Sequence, residues 1–383
     1  MFNTELGLFC YMHDNWAELL TQEPYNLKIY EDGPYVMFKY NQLTSDFNIS
    51  MVREARGIIF RKDDFSHPVC WPFNKFGNYG ESYVPEIDWS TAFVSEKVDG
   101  SLIKVWYDAG NWHISTNGTI DAFKAELGDV KYNSFGTYFC DTIYEYYDRF
   151  ADFTGGLDED KTYMFELVGP YNRVVIPYDE PAIYFLGARN KYTGEEFNCS
   201  KLTAGALRMG RFKLPAQYSL SSLSDCMKAA ELKSWDDEGF VVCDAQFNRV
   251  KIKSPAYVMA HYARNNNVIT RKHLIKIITS NEVAEFLCYA EDYKEELEKL
   301  QNLMKAFCKV GDQIAKSCQR LYDVPRGTYA NWVQTLPKIY QDLAFRNYNN
   351  VMSTKDYTAG WNENKWDTYL DSFEQFREEL FGE

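Results

Sequence analysis

The stretch Ser95-Glu96-Lys97-Val98-Asp99-Gly100-Ser101 sets a lysine two residues ahead of an Asp-Gly turn, and the run Leu102-Ile103-Lys104-Val105-Trp106-Tyr107 follows at once. A turn followed by β-branched and aromatic residues reads as a strand entry. By itself the pattern K-x-D-G is weak. It suits a surface lysine beside a strand-end turn as well as a lysine nucleophile, so its meaning rests on the charged clusters that surround it.

Working outward, further short apolar runs bounded by turn residues read as strands: Gly57-Ile58-Ile59-Phe60, Thr162 to Val168, Ala182 to Leu186, and Gly239 to Val242. Helical stretches are expected at about 134–151 and 222–233. Near residue 260 the character changes. Leu297, Leu300, Met304, Phe307 and Ile314 recur at helical spacing, as do Trp366, Leu370 and Phe373, and strand patterns nearly vanish. These stripes read as the core faces of amphipathic helices. The expectation is an α+β domain over residues 1–260 and a helical domain over 261–383.

A chain of 383 residues is long enough for two such domains. Aromatics at 17% and charged residues at 25% suit a packed, water-facing protein. No apolar run approaches the roughly 18 residues of a membrane span, and Met1-Phe2-Asn3-Thr4-Glu5 lacks the order of a signal peptide. The nine scattered cysteines, without C-x-x-C, read as reduced cytosolic thiols. The net charge of −14 argues against nonspecific coating of nucleic acid but leaves room for a local basic cleft. The imbalance is uneven: residues 261–383 hold 16 Lys and Arg against 18 Asp and Glu, and residues 1–260 hold 25 against 37.

Against that acidic background several clusters stand out. Arg56 precedes an apolar strand, and Lys75 lies between aromatics in Pro72-Phe73-Asn74-Lys75-Phe76. Glu166 interrupts an apolar strand, where a carboxylate is costly unless it meets a cation or hydroxyls. Glu238 precedes Gly239-Phe240-Val241-Val242, and Lys251 and Lys253 sit at i and i+2, on one face of a strand. Two adjacent ammonium groups invite an anion between them. Taken singly, each has a plain alternative: an edge strand's solvent face for the lysines, loop charge for Glu238, a structural ion pair for Arg56.

In order, R-G-I-I-F, N-K-F, K-x-D-G, the acidic residue of Glu166-Leu167-Val168-Gly169-Pro170, E-G-F-V-V and K-I-K, with Asn172-Arg173-Val174-Val175 and Tyr257, resemble the covalent nucleotidyltransferase superfamily. More narrowly they resemble the RNA ligase 1 family of bacteriophages. The resemblance spans roughly residues 40–257. It implies an α+β fold: a nucleotidyltransferase (ATP-grasp-like ligase) domain built on antiparallel sheet, followed by an all-helical C-terminal domain. DNA ligases and capping enzymes of the superfamily place an OB-fold after the K-x-K strand, and the helical tail speaks against them. A nucleic-acid-binding protein on a disabled scaffold would be expected to lose the costly charges that persist here.

The resemblance also implies the roles. Lys97 would attack the α-phosphorus of ATP and carry AMP. A lysine ordinarily titrates near 10.4, and Lys251, Lys253 and a bound Mg²⁺ (or Mn²⁺) would favour its neutral form. Glu166 would hold the ribose. Tyr40, Arg56, Lys75, Lys251 and Lys253 would contact the nucleotide, and the backbone of Glu96 would read the adenine edge. Asp99 and Glu238 would bind metal, with Glu282 a second metal position. Gly100 completes the motif, and Tyr257 stands where the family has a tyrosine needed for ligation. Asn117, before Gly118, replaces a residue that is often basic. The implied substrate is RNA with 5′-phosphate and 3′-hydroxyl ends, such as a broken tRNA recognised by the helical domain, in the cytoplasm of a phage-infected host.

Overall fold

The computed structural model describes residues 2–198, 212–263, 269–287, 289–321 and 323–381. Cys199 and Cys288 lie outside the described residues. The seven described cysteines are free thiols. Two units emerge, Met1–His261 and Tyr262–Glu383.

The first unit holds three antiparallel sheets. We number its strands β1 (Lys28–Asp32), β2 (Tyr35–Lys39), β3 (Arg56–Arg61), β4 (Phe93–Glu96), β5 (Ser101–Asp108), β6 (Asn111–Thr116), β7 (Lys161–Val168), β8 (Ala182–Asn190), β9 (Glu196–Asn198), β10 (Gln217–Tyr218), β11 (Gly239–Cys243) and β12 (Arg249–Lys253). The sheets run β1-β2-β3, β6-β5-β7-β8-β9 and β10-β4-β11-β12. The first packs its Val36, Phe38, Ile58 and Phe60 on the helix Glu5–Met12. The five-stranded sheet buries Ile103, Val105, Phe165 and Phe185 against Phe139 and Ile143 of the helix Phe135–Tyr144. Met37, Ile59 and Trp106 form a further buried cluster that brings β2 and β3 to β5.

In the third sheet, alternation does the sorting. Val250 and Ile252 of β12 join Phe240, Val242 and the helix Leu223–Glu231 in one apolar cluster, so Lys251 and Lys253 point to the other face. Gly239 pairs with Lys253, and Phe240 with Glu96, which gathers the end of β4, the start of β11 and the end of β12 at one edge. Gly239 is required there: its φ is +127°, and a Cβ would stand 2.2 Å from the Ile252 carbonyl oxygen. Gly239→Ala is expected to cost about 1–3 kcal/mol through backbone strain alone, read as a lowered urea midpoint.

The helix expected over 134–151 is two, Phe135–Tyr144 and Phe150–Thr154. The break lets Tyr147 turn into the core of the central sheet, and Arg149 pairs with Asp152 at 2.8 Å to start the second piece.

In the second unit every described element after β12 is helical. The 27-residue helix Lys294–Arg320 buries Leu297, Leu300, Met304 and Phe307, and the helix Glu363–Phe381 buries Trp366, Leu370 and Phe373. Among the described residues no helix is long and apolar enough to cross a membrane.

Candidate active site

A cleft of about 310 Å³ opens in the first unit. Arg56, Glu96, Lys97, Gly100, Asn117, Glu166 and Lys251 line it, with Phe76, Leu102 and Leu186 among its apolar walls. Residues 195 positions apart in the chain thus meet because β3, β4, β7 and β12 all end on it.

Lys97 leaves β4 with its backbone N–H donating to the Gly239 carbonyl at 2.9 Å. Its ammonium lies 2.5 Å from Glu238 Oε1, and Lys253 Nζ lies 4.0 Å from the same oxygen. Glu238 is 5% exposed, and its Oε2 is buried without a hydrogen-bond partner. A buried carboxylate oxygen left unsatisfied is costly and calls for a cation or donor. Gly100 lets the turn close on β7, since a Cβ there would come within 2.5 Å of the Leu167 carbonyl oxygen and 3.0 Å of Glu166 Cγ.

Arg56 and Lys251 both lie against the Phe76 ring, at 5.2 and 5.1 Å from its centre. Arg56 Nη1 is buried without a partner. Burial, reinforced by Lys75, Lys97, Lys253 and Arg56, drives Lys251 well below the ordinary lysine value. An anion in the cleft would offset that repulsion. Burial likewise pushes Glu166 up to about 7, with Lys97 and Arg56 pulling it down and Glu238 and Asp99 adding to the rise. Asn117 Oδ1 is also buried without a partner.

Both oxygens of Asp99 are committed: Oδ2 accepts from the N–H groups of Val175 and Ile176 at 2.9 and 2.8 Å, and Oδ1 accepts from the Tyr257 hydroxyl at 2.9 Å. Asp99 is 4% exposed, and these three bonds brace the lysine turn. Tyr257 is correspondingly buried behind the cleft. Lys75 and Tyr40 are also outside the cleft lining. The Lys75 ammonium sits over the rings of Phe47, Tyr40 and Tyr83 at 4.5, 5.1 and 5.7 Å, an aromatic cage. The Glu96 N–H donates to the Ala216 carbonyl at 2.7 Å, and the Glu96 side chain accepts from Ala216 N–H at 3.0 Å. Glu282 belongs to the second unit, where its N–H donates to the Ile277 carbonyl. Among the described residues no three His, Cys, Asp or Glu side chains gather as a metal cluster.

Two charged residues at or beside the site carry no signal of their own in the sequence reading. Lys104 is wholly buried and donates to the Gly57 carbonyl, next to Arg56; burial lowers it to about 8. It shares with Glu166 the pattern of a charge inside an apolar run. Arg249 lines the cleft and pairs with Glu196 at 2.6 Å.

The RNA ligase family model matches residues 54–257, which hold every residue that lines the cleft. The chain belongs to the RNA ligase family. Within that family it is 28% identical over 348 residues to an RNA ligase of Rhodothermus phage RM378, covering 76% of this chain and 77% of that protein. It is 31% identical over 276 residues to a protein of Autographa californica nuclear polyhedrosis virus named "Putative bifunctional polynucleotide kinase/RNA ligase", covering 68% of this chain. The chain spans 38% of that relative's length. A solved archaeal ATP-dependent RNA ligase aligns over 78% of each chain at 14% identity, with a TM-score of 0.45.

Proposed function

We propose that this protein is an ATP-dependent RNA ligase that carries AMP on Lys97. The observation that supports it best is the contact of Glu238 with Lys97, which lines one cleft with Arg56 and Lys251. In this reading Lys97 Nζ gives up a proton, with Glu238 Oε1 placed to receive it, and attacks the α-phosphorus of ATP. The N–P bond forms as the bond to pyrophosphate breaks. Arg56 and Lys251 offset the charge spread over the phosphate, and Glu166 faces the ribose hydroxyls. A 5′-phosphate oxygen of RNA then takes the AMP and frees Lys97. Finally a 3′-hydroxyl attacks that 5′-phosphate and releases AMP.

The donor set suits Mg²⁺ or Mn²⁺ bound by one carboxylate together with waters and nucleotide phosphates, because Glu238 Oε2 is the oxygen left over. The metal would neutralise phosphate charge. Glu282 would serve a second metal only if it reached the bound nucleotide, and the helical unit would contact structured RNA such as a cut tRNA. Free thiols at the seven described cysteines, and RNA as substrate, support action in the cytoplasm.

The test is intact mass of the protein after incubation with the divalent metal and ATP or GTP, followed by joining of single-stranded 5′-phosphorylated RNA against nicked DNA duplex. One AMP per chain from ATP alone, with RNA joined in preference to the nick, is the expected result. No adduct on freshly purified protein would overturn the reading.

A further inference from the structure

A second cavity, of about 290 Å³, adjoins the catalytic cleft and shares Phe76 and Arg249 with it. Its wall carries four cations, Arg53, Lys75, Arg189 and Arg249, against one carboxylate, Glu196. That inverts the sign of residues 1–260, where acidic side chains outnumber basic ones by 37 to 25.

The carboxylate is already shared. Glu196 lies 2.6 Å from Arg249 and 3.7 Å from Arg189, and all three side chains are at most 11% exposed. Arg53 donates to the Phe47 carbonyl at 2.6 Å, and Lys75 is met by ring faces. On the cavity wall the cations therefore outnumber the carboxylate four to one. Arg189 is held flat on Trp71 at 3.9 Å and bonded to Asn74 Oδ1 at 2.8 Å, and Arg249 lies over Phe73 at 4.2 Å. The cations are fixed in place before any ligand arrives, which lowers the entropic cost of binding one. Phe76, at the shared wall, and Phe247 add aromatic surface beside them. Cations interleaved with aromatics are the composition that holds single-stranded nucleic acid by backbone and base face.

We infer that this cavity binds a phosphate of the RNA strand and delivers that strand's end to Lys97 through the wall formed by Phe76 and Arg249. The inference rests on the RNA ligase reading and names the place where its substrate is gripped. Phosphate chemistry has a second source here, the polyphosphate tail of ATP, so the experiment must separate the two.

Two variants probe the cavity without touching the catalytic residues. Arg53→Gln removes a cation, and Gln246→Glu adds a negative charge at an exposed rim position, where the fold is indifferent. Binding of a 5′-phosphorylated oligoribonucleotide to the unadenylylated protein is measured across salt concentrations, alongside the KM for ATP in adduct formation. Each variant is expected to weaken RNA binding several-fold at low salt. For Arg53→Gln the slope of log K against log salt should fall by about 0.7, the value of one phosphate contact on a single strand. The KM for ATP should stay within twofold. A raised KM with unchanged RNA binding would assign the cavity to the ATP tail and overturn the inference. RNA affinity unchanged in both variants, with KM also unchanged, would reduce the cavity to a structural ion network and overturn it too. Absence of an adduct on the wild-type protein would sink the ligase reading instead, since the RNA measurement does not need Lys97 modified.

Discussion

Replacing Lys97 with alanine is expected to lower AMP transfer to the protein by at least about four orders of magnitude, leaving no adduct detectable by intact mass. Lys97→Arg should lose as much. The guanidinium keeps the positive charge and can still pair with Glu238, but it stays protonated and offers no lone pair to phosphorus. The two variants together separate nucleophile from charge. If Lys97 served only to balance the buried Glu238 carboxylate, 2.5 Å away, arginine would restore much of the activity that alanine loses. Retained adduct formation in Lys97→Arg would move the covalent role to another side chain. An RNA supplied already adenylylated should still be joined by Lys97→Ala, because the last displacement uses the RNA's own hydroxyl.

Much of this site was legible because its residues fall next to strands whose composition is plain. Gly57 to Phe60, Leu102 to Tyr107, Thr162 to Val168 and Gly239 to Val242 all lie within strands, so the charges beside or within them could be placed on strands. The i, i+2 spacing of Lys251 and Lys253 predicted their shared side, and β12 shows it. The hairpin of β1 and β2 went unread, although Asp32-Gly33 between two β-rich runs is a turn signal and Gly33 takes a φ of +55°. What sequence could not give is partnership at long range. The aromatic cage that holds Lys75 draws on residues 40, 47 and 83, and the pair Arg249–Glu196 spans two sheets. A lysine between aromatics looks the same in one dimension whether its ammonium meets a phosphate or three rings. Lys104 was passed over because a charge in an apolar run has two outcomes: Glu166 faces the cleft, whereas Lys104 turns inward to a backbone carbonyl.

Asp99 offers the sharpest test of that difference, since the K-x-D-G pattern alone fits both a metal ligand and a brace. In the structure its carboxylate takes three donors at 2.8–2.9 Å: two backbone N–H groups from Val175 and Ile176, and the Tyr257 hydroxyl. Asp99→Ala would leave the buried Val175 N–H and Tyr257 hydroxyl unmet, at about 1–3 kcal/mol each, with the part-buried Ile176 N–H reaching water, so a loss of about 2–6 kcal/mol in the first unit is expected. Urea unfolding followed by tryptophan fluorescence would show it as a large drop in midpoint. Asp99→Asn should also be costly, because its amide NH₂ turns a donor toward donors. Tyr257→Phe removes one of the three and should cost only about 0.5–1.5 kcal/mol. A metal ligand would behave otherwise: alanine would relieve buried charge, leave the midpoint in place, and raise the divalent-metal concentration needed for adduct formation. That pattern would return Asp99 to the metal. The expected pattern, large instability with a graded effect at Tyr257, ties the lysine turn, the segment after β7 and the helix Pro255–Ala263 into one frame. In such a frame the Tyr257 hydroxyl, bonded to Asp99, is expected to steady the turn that carries Lys97.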